Sequence, residues 1–472
     1  MSLNDDFPQR TMLVSSLEVA SREYRLDPTR YNERGERVIR HFRQIGVQTK
    51  SIDQWDAVKS IFVPPRFKRP YVESLEHGVP FLGSSSMLSL RLSKDSILSR
   101  SFRHLGKLTL QGGELLLSCS GTIGVSVLCG TSYKGFALSQ HAARIYADEK
   151  VRGYLHVYLS TPPGREIVLQ QNYGKVIKEL TEDQIGRVVV PLVPEPDFSE
   201  INTMALNAAS LYDTARGTFA QVDAQLQTLL GLASKIDDRG SWLSRQDRSF
   251  IVSSELSDNF RLDPHYHDPD IRYMYGRLAS VDNLPLGTIA KIWMPDRFAR
   301  VTAQSGYGVP FYSSADIMRA RRVPSHTVSR RAQKHLDQCR VHPGITLVCR
   351  SGAFGGIMGR ATLVSPAMDG WHVTEDALRC AVHDPDFPPQ YVFAVLSNPF
   401  LVYPVITGYR YGKDVPHIDP EELSLIPIPK FTPDVRQEIA RRIGDAFQQV
   451  DLANSMEDRA QTRLLQTLRW QG

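Results

Sequence analysis

Ile201-Asn-Thr-Met-Ala-Leu-Asn-Ala-Ala-Ser-Leu-Tyr-Asp-Thr-Ala-Arg-Gly-Thr-Phe-Ala-Gln-Val-Asp-Ala-Gln-Leu-Gln-Thr-Leu-Leu-Gly-Leu-Ala233 is the stretch from which the rest of the chain can be read. Apolar or small residues fall at Ile201, Ala205, Ala208, Tyr212, Ala215, Phe219, Val222, Leu226, Leu229 and Ala233, in alternating steps of four and three. That spacing is a heptad seam and predicts one long helix. A second seam, Ile439, Ile443, Ala446, Val450, Ala453, Ala460 and Leu464, repeats positions of the first at an offset of 238 residues. Two copies of one helix are therefore expected.

The copying extends to the sequence around them. Arg25-Leu-Asp-Pro28 returns as Arg261-Leu-Asp-Pro264, Gly78-Val-Pro-Phe81 as Gly308-Val-Pro-Phe311, and Tyr173-Gly-Lys175 as Tyr411-Gly-Lys413. Gly113-Glu-Leu-Leu-Leu-Ser-Cys-Ser-Gly-Thr-Ile-Gly124 aligns without a gap on Gly344-Ile-Thr-Leu-Val-Cys-Arg-Ser-Gly-Ala-Phe-Gly355. The expected organisation is a tandem duplication in a mixed α/β (α+β) chain: an N-terminal arm and first domain over 1–196, a helix over 197–238, a second domain over 239–431 and a closing helix over 432–472.

Composition bounds the function. A chain of 472 residues with 42% hydrophobic content can bury two sizeable cores. There is no run of about 18 uncharged apolar residues and no basic-then-apolar leader, so the expectation is a cytoplasmic protein with no membrane contact. The cysteines, Cys119, Cys129, Cys339, Cys349 and Cys380, lack CxxC spacing and are odd in number, which argues for buried thiols over a zinc site or a disulfide framework. A net charge of +5 is too weak for a globally basic nucleic-acid protein, but its distribution is uneven. Residues 60–110 carry eight Lys or Arg against three acids, and residues 290–350 carry eleven against three. The basic excess occupies the same place in both copies.

Local signals place several elements. Glu114 to Ser118, a short apolar run between glycines, reads as a buried strand, and Phe136 to Tyr146 and Gly186 to Pro191 are further strand candidates. Trp55 to Val63 reads as a short apolar element closed by Pro64-Pro65, and Tyr154 to Leu159 suits helix or strand. The first long helix should start near Asp197 to Ser199 with Glu200 in its first turn, and end at the polar run Ile236 to Ser241. The second should start at Thr432, with Pro433 at its first position and Asp434 beside it. An antiparallel return is the short route, so Ile201, Tyr212, Phe219 and Leu226 should face Ile439, Ile443, Val450 and Leu464. Alanines at 205, 208, 215, 446, 453 and 460 would let the axes approach closely. At 1.5 Å per residue such a helix spans on the order of 50 Å and acts as a spacer.

On these features the chain resembles the specificity subunit of type I restriction-modification systems. The resemblance runs from about Tyr24 to the end and rests on the tandem plan, Gly121-Thr-Ile-Gly124 after an apolar strand, Leu138-Ser-Gln-His-Ala-Ala-Arg-Ile145, Leu159-Ser-Thr-Pro-Pro-Gly164, and Gly174 followed by Ile185 to Pro191. It implies two target recognition domains, each reading part of a split DNA sequence, joined by an antiparallel coiled coil. It also implies a non-catalytic subunit that positions two adenine-methyltransferase subunits and, in the full complex, restriction/translocase subunits in phage defence. S-adenosylmethionine and ATP would then bind the partners, and no cofactor or metal this chain. Gly352-Ala-Phe-Gly355 and His372-Val-Thr-Glu-Asp-Ala-Leu378 depart from the first copy's forms.

An enzyme reading has little to stand on. Ser397-Asn-Pro-Phe400 is similar to the Asn-Pro-Pro-aromatic loop of amino-methyltransferases, but it occupies the slot of Ser160-Thr-Pro-Pro163 in the first copy, where a helix-starting turn explains both. The chain has no strand-linked GxGxxG, no GxxxxGK[ST] and no HExxH; His265-Tyr-His267 reads as a polar loop, and Gly352 to Gly356 as a turn. The basic segments are the candidate DNA contacts: Arg66, Lys68, Arg69, Arg100, Arg103 and His104 in the first copy, and Arg297, Arg300, Arg330, Arg331, Lys334 and His335 in the second. Arg100, Arg103 and His104 match Arg331, Lys334 and His335 at an offset of 231. Ser84, Ser85, Ser313 and Ser314 are candidate donors to bases or phosphates. Lys and Arg neutralise phosphates, and Arg can also bridge guanine O6 and N7. Unlike residues at matching loops predict an asymmetric bipartite site. The alternatives are the specificity subunit of another methylation-based defence complex, a methyltransferase in its own right, and a tandem scaffold that binds no DNA.

Overall fold

The computed structural model describes residues 33–171, 179–232, 264–304, 306–352, 356–412 and 415–471. The N-terminal arm, Tyr173-Gly-Lys175, Ala233 and the Ile236 to Ser241 linker lie outside these residues.

Each half places its strands in the same three sheets. The first half contains helix α1 (Glu33–Gln44) and strands β1 (Gln48–Ser51), β2 (Val58–Phe62), β3 (Gly78–Leu82), β4 (Ile97–Ser99), β5 (Leu115–Ser118), β6 (Ser126–Leu128), β7 (Ala137–Leu138), β8 (Ala142–Ala147) and β9 (Val189–Leu192). The second contains β10 (Asn283–Pro285), β11 (Ala290–Trp293), β12 (Gly308–Tyr312), β13 (His326–Ser329), β14 (Thr346–Cys349), β15 (Ala361–Leu363), β16 (His372–Val373), β17 (Ala377–Val382) and β18 (Pro427–Pro429). A four-stranded antiparallel sheet, β2-β8-β5-β6, is matched by β11-β17-β14-β15. The three-stranded β4-β3-β7 is matched by β13-β12-β16, down to the single parallel pairing of β3 with β7 and of β12 with β16. The pairs β1-β9 and β10-β18 complete the set. Such agreement in order and direction is the duplication expressed as topology.

The apolar runs determine which strands are central. Leu115, Leu116 and Leu117 of β5 are fully buried, as are Leu347, Val348 and Cys349 of β14. Gly112, Gly113, Gly121 and Gly124 around β5 all have positive φ, so the chain turns sharply at both ends of this strand. The predicted strand from Phe136 to Tyr146 is two strands, β7 and β8, separated by a turn at 139–141. Tyr154 to Leu159 lies in helix α2 (Glu149–Ser160), which α3 (Pro162–Gln171) follows; the second half has counterparts of these in Pro389–Ser397 and Val402–Gly408.

Helix α4 (Asp197–Leu229) is the first long helix, the two second-half helices just named are α5 (Pro389–Ser397) and α6 (Val402–Gly408), and the closing helix is α7 (Pro433–Thr467). Thr432 stands at the N-cap of α7 and Pro433 at its first position, while α4 begins one residue after Pro196. The two helices run antiparallel. Asp197, at the start of α4, accepts from Arg463 Nη2 at 2.7 Å and Thr467 Oγ1 near the end of α7, and Arg442 reaches back to Gln221 at 2.7 Å and Gln225 at 3.0 Å. Ile201, Tyr212, Phe219, Leu226, Ile439, Ile443, Val450 and Leu464 are all buried. Leu229 is the departure: at the end of α4 it is 39% exposed.

The seam serves two purposes. Ile201, Ala205, Ala460 and Leu464 belong to the first half's main core, and the positions from Ala208 to Leu226 and from Ile439 to Ala453 belong to the second half's. The stripe is thus both a helix-to-helix contact and a face docked on domain cores, with α2 packing on α4 and α5 on α7. At about 1.5–3 kcal/mol for each large apolar side chain, this burial ties both halves to the helix pair. One seam position is charged: Glu457, in the slot that Phe219 fills in the first copy, is buried, with Arg321 Nε 3.0 Å from one carboxylate oxygen and His156 Nε2 3.7 Å from the other.

The halves also touch each other directly. Leu90 N donates to Met318 O and Ala320 N to Leu88 O, each at 2.9 Å, around an antiparallel bridge between Ser89 and Arg319. Residues 88, 89 and 90 correspond to 318, 319 and 320, so the bridge is self-complementary and marks an internal two-fold relation. The helices cap it from equivalent positions: Arg216 Nε donates to Leu90 O at 2.9 Å, and Asn454 Nδ2 to Ala320 O at 3.0 Å. A picture of two domains held apart by rods alone is therefore corrected: the rods lie along a direct contact.

No single described helix is long and apolar enough to cross a membrane. The bent pair α5 and α6 is apolar enough by composition, and its side chains fill the second half's core. All five cysteines are buried and unpaired by disulfides.

Candidate nucleic-acid interface

In each half an aromatic side chain brings two separate basic stretches together. The loop after β2 carries Arg66, Phe67, Lys68 and Arg69, and the segment after β4 carries Arg100, Phe102, Arg103 and His104. Phe67 packs against Phe102 with ring centroids 5.0 Å apart, and Phe102 meets the His104 ring edge-on at 5.8 Å. In the second half Phe298, the counterpart of Phe67, stacks directly on His335 at 5.2 Å with the rings nearly parallel. The inner arginine of each loop lies over a β-strand phenylalanine: Arg69 over Phe81 at 5.4 Å and Arg300 over Phe311 at 5.2 Å. A charged loop that would otherwise be free is held on the three-stranded sheet by its apolar side chain and by ring faces beneath its cations.

The turn between β7 and β8 completes the site. Ser139 Oγ accepts from His141 N at 3.1 Å, and in the second half Thr374 Oγ1 accepts from Asp376 N at 3.2 Å. Ser120 Oγ shares a 2.5 Å hydrogen bond with His141 Nδ1, and Ser351 Oγ donates to Asp376 in the equivalent place. A fully buried arginine lies under each turn, Arg144 on β8 and Arg379 on β17. Arg379 donates to the carbonyls of Val373 and Thr374, both at 2.8 Å, and to that of Ala377, which pins the turn from below. Burial pushes the Arg379 guanidinium down to about 10. His141 is also held below the usual histidine value, first by burial and then by Arg69 and Arg66, which places the basic loop beside this turn. In the first half these loops enclose an open cleft of about 390 Å³ whose lining includes Arg66, Ser120, Gln140, His141 and Glu179.

The cations differ in how far they are committed to the protein. Lys68, Arg103, Arg330, Arg331 and Lys334 are exposed. Arg66 is 70% exposed and 2.5 Å from Glu179, and Arg297 is 66% exposed and 3.8 Å from Asp376. Arg100 spends Nε and Nη2 on the carbonyls of Glu76 and Leu75, both at 3.1 Å, so it braces the neighbouring loop. The serine expectation needs correction. Ser313 Oγ donates to Asp316 at 2.7 Å and caps a short helix, and Ser314 is buried with its hydroxyl on Asp376 O at 3.3 Å. Ser84 and Ser85 sit in the turn that leads into the interdomain bridge, Ser85 preceding the short helical turn Ser86–Leu88.

Asn398 is buried and occupied: its Oδ1 accepts from Phe400 N at 3.0 Å and Leu401 N at 3.1 Å, and its Nδ2 donates to Asp223 O at 3.3 Å. The residue joins α5 to α6 and has no amide face to offer a target base. Among the described residues, Asp419, Glu421 and Glu422 are the acids close enough to share a cation; Asp419 accepts from Arg350 at 2.9 Å and caps a short helix. Sequence reasoning passed over Arg144, Arg379, Gln140 and Glu375. The signal was present, since Leu138 to Ile145 aligns on Val373 to Cys380 at an offset of 235, which pairs Arg144 with Arg379.

No protein-family model matches the chain, and no curated protein matches it. Among solved structures, the S subunit of a type I restriction-modification system from M. genitalium is similar at 12% identity and a TM-score of 0.29, over 89% of this chain and 95% of that one. The HsdS subunit from Thermoanaerobacter tengcongensis is similar at 13% identity and a TM-score of 0.26, over 90% and 97%. A chain from a structure concerned with assembly and conformational transition of the type I restriction-modification system gives 12% identity and a TM-score of 0.27, over 90% and 97%. Over nearly its whole length the chain is similar to type I specificity subunits, at TM-scores too low to bear on function.

Proposed function

We propose that this chain is the DNA-specificity subunit of a type I restriction-modification complex, each half reading one part of a bipartite, asymmetric site. The observation that carries the reading is the repeated basic platform: in both halves an aromatic clamp, an arginine over a ring and a pinned turn gather cations from separate stretches of chain. Two such platforms, related by an internal two-fold, suit two segments of duplex about one helical turn apart. Exposed Lys68, Arg103, Arg330, Arg331 and Lys334 neutralise phosphates and set register, and residues nearer the turns meet base edges. The platforms differ in sequence, so the half-sites differ.

On this reading the chain makes and breaks no bonds. The outer face of the paired helices is a surface for two adenine-methyltransferase subunits, with S-adenosylmethionine bound by them and ATP by restriction subunits where these are present. The test is selection from a random duplex pool by the full chain together with its methyltransferase subunits, repeated across salt concentrations. A split motif should emerge, with affinity falling by orders of magnitude between about 50 and 200 mM salt if roughly six or more phosphates are contacted. Binding that is absent, or indifferent to salt, would sink the proposal. Methylated adenines in the host genome should fall on the same motif and vanish when this chain is deleted.

A further inference from the structure

The two platforms share a plan, and one slot decides how tightly an arginine of each is held. Beneath each lies a buried arginine, Arg144 or Arg379, and at its rim lies an arginine over a ring, Arg69 or Arg300. Gln140 in the first half and Glu375 in the second hold matching positions of the turn that precedes β8 and β17. Glu375 is buried. Its Oε1 accepts from Arg300 Nη2 at 2.7 Å, the same nitrogen lies 3.2 Å from Thr374 Oγ1, and its Oε2 has no hydrogen-bond partner among the described residues. Arg300 is thus fixed by a carboxylate, a hydroxyl and a ring face, while Nη1 and Nε form no hydrogen bond within the described residues and the side chain keeps 36% of its exposure.

Gln140 makes no such bond. Its Oε1 is buried without a hydrogen-bond partner among the described residues, and among these Arg69 is held by the Phe81 ring and forms no hydrogen bond. The electrostatic consequence is direct. The Glu375 carboxylate makes a charge-assisted hydrogen bond that restrains the rotamers of Arg300 before any ligand arrives, and the neutral Gln140 amide makes no such bond to Arg69 among the described residues. A pre-oriented guanidinium suits directional recognition, for which guanine alone offers two adjacent major-groove acceptors, O6 and N7. A loosely held guanidinium suits a phosphate, whose charge is accepted from many angles.

We infer that Arg300 is a guanine-reading residue of the second domain, that Glu375 is its positioning residue, and that Arg69 in the first domain serves a phosphate. The inference rests on the DNA-reading function proposed above and adds which half carries the guanine and through which side chains.

The experiment selects sites from a random duplex pool with the full chain and its methyltransferase subunits, comparing the unaltered protein with R300K, E375Q and E375D, and assigns half-sites by exchanging residues 1–196 with those of a related chain. R300K should lose a preference of roughly tenfold or more for one guanine in the second-domain half-site and leave the other half-site unchanged. E375Q should relax the same position with an unchanged salt dependence, and E375D should recover most of the preference, which a merely structural role for Glu375 would not produce. A second-domain half-site without guanine overturns the inference. So does R300K binding all sequences more weakly with a shallower salt dependence, the signature of a phosphate contact, and both of those results leave the proposed function standing. Failure of the unaltered protein to select any sequence removes the proposed function itself. Should E375Q fail to fold, as judged by circular dichroism, R300K decides, because Arg300 is partly exposed and its replacement leaves the core intact.

Discussion

Replacing Arg321 with alanine tests the helix pair at its one charged seam position. Arg321 comes from the second domain, next to the interdomain bridge, and its Nε lies 3.0 Å from Glu457 of α7, with Nη2 on the more exposed Asp458. Burial pushes the Glu457 carboxyl up, but the neighbouring His156 and Arg321 outweigh burial and hold it below the usual glutamate value. Removing one partner of a buried pair costs about 3–5 kcal/mol. The lower end, about 3 kcal/mol, is expected here because Glu457 keeps His156 and because the Asp458 contact is solvent-screened. Unfolding of so large a chain need not be two-state, so the local reading is hydrogen exchange of the α7 peptide over 450–464, where about 3 kcal/mol corresponds to protection falling by roughly a hundredfold. The double variant R321A/E457L, which restores an apolar slot like that of Phe219, should return to within about 1 kcal/mol of the parent. The pH dependence follows from the depressed carboxyl. Its stabilisation is fully present above the unfolded value near about 4.3 and is lost as pH falls through the lower folded value, and R321A should shrink that acid-side loss. A cost for R321A below about 1 kcal/mol, with an unchanged acid limb, would refute the buried pair and with it this docking of α7 on the second domain.

Exchanging residues 1–196 for the corresponding region of a related chain should change one half of the selected motif, and a change in both halves would contradict independent readers. Phe298→Ala should free the basic loop from His335 and weaken duplex binding by about tenfold, read by fluorescence anisotropy, with little change in thermal unfolding because Phe298 is only partly buried. Arg379→Met should cost about 2–3 kcal/mol in urea unfolding, since three carbonyls of the pinned turn lose their donor. The thiols should resist Ellman's reagent at pH 8 until denaturant is added: all five are buried, and burial pushes Cys119, Cys349 and Cys380 up to about 12.

Much of the architecture could be read from one dimension because it depends on periodicity and repetition. The four-and-three spacing from Ile201 to Leu226 has one low-energy use, a stripe buried along a helix, and its return at Ile439 to Leu464 implied a partner of the same length. Likewise, the apolar run Leu115 to Leu117 between glycines could only be an inner strand. Where local pattern is ambiguous, the reading was coarser: Phe136 to Tyr146 is a mixed run with apolar ends, and the turn at Ser139 to His141 divides it into strands of different sheets.

The site depended on tertiary structure for a different reason. Charge alone cannot tell a cation that faces solvent from one spent on the protein, so Arg100 and Lys68 look alike in sequence although the first braces two carbonyls and the second is exposed. Ser313 and Ser314 looked available and are consumed by a cap and by Asp376 O. The interdomain bridge at Ser89 and Arg319, the buried Glu457 and the Arg300–Glu375 pair join residues from distant parts of the chain. Their energies come from desolvation and short-range geometry, which exist only once the chain has folded, whereas the helix seam and the duplicated domains were already written in the spacing of apolar side chains.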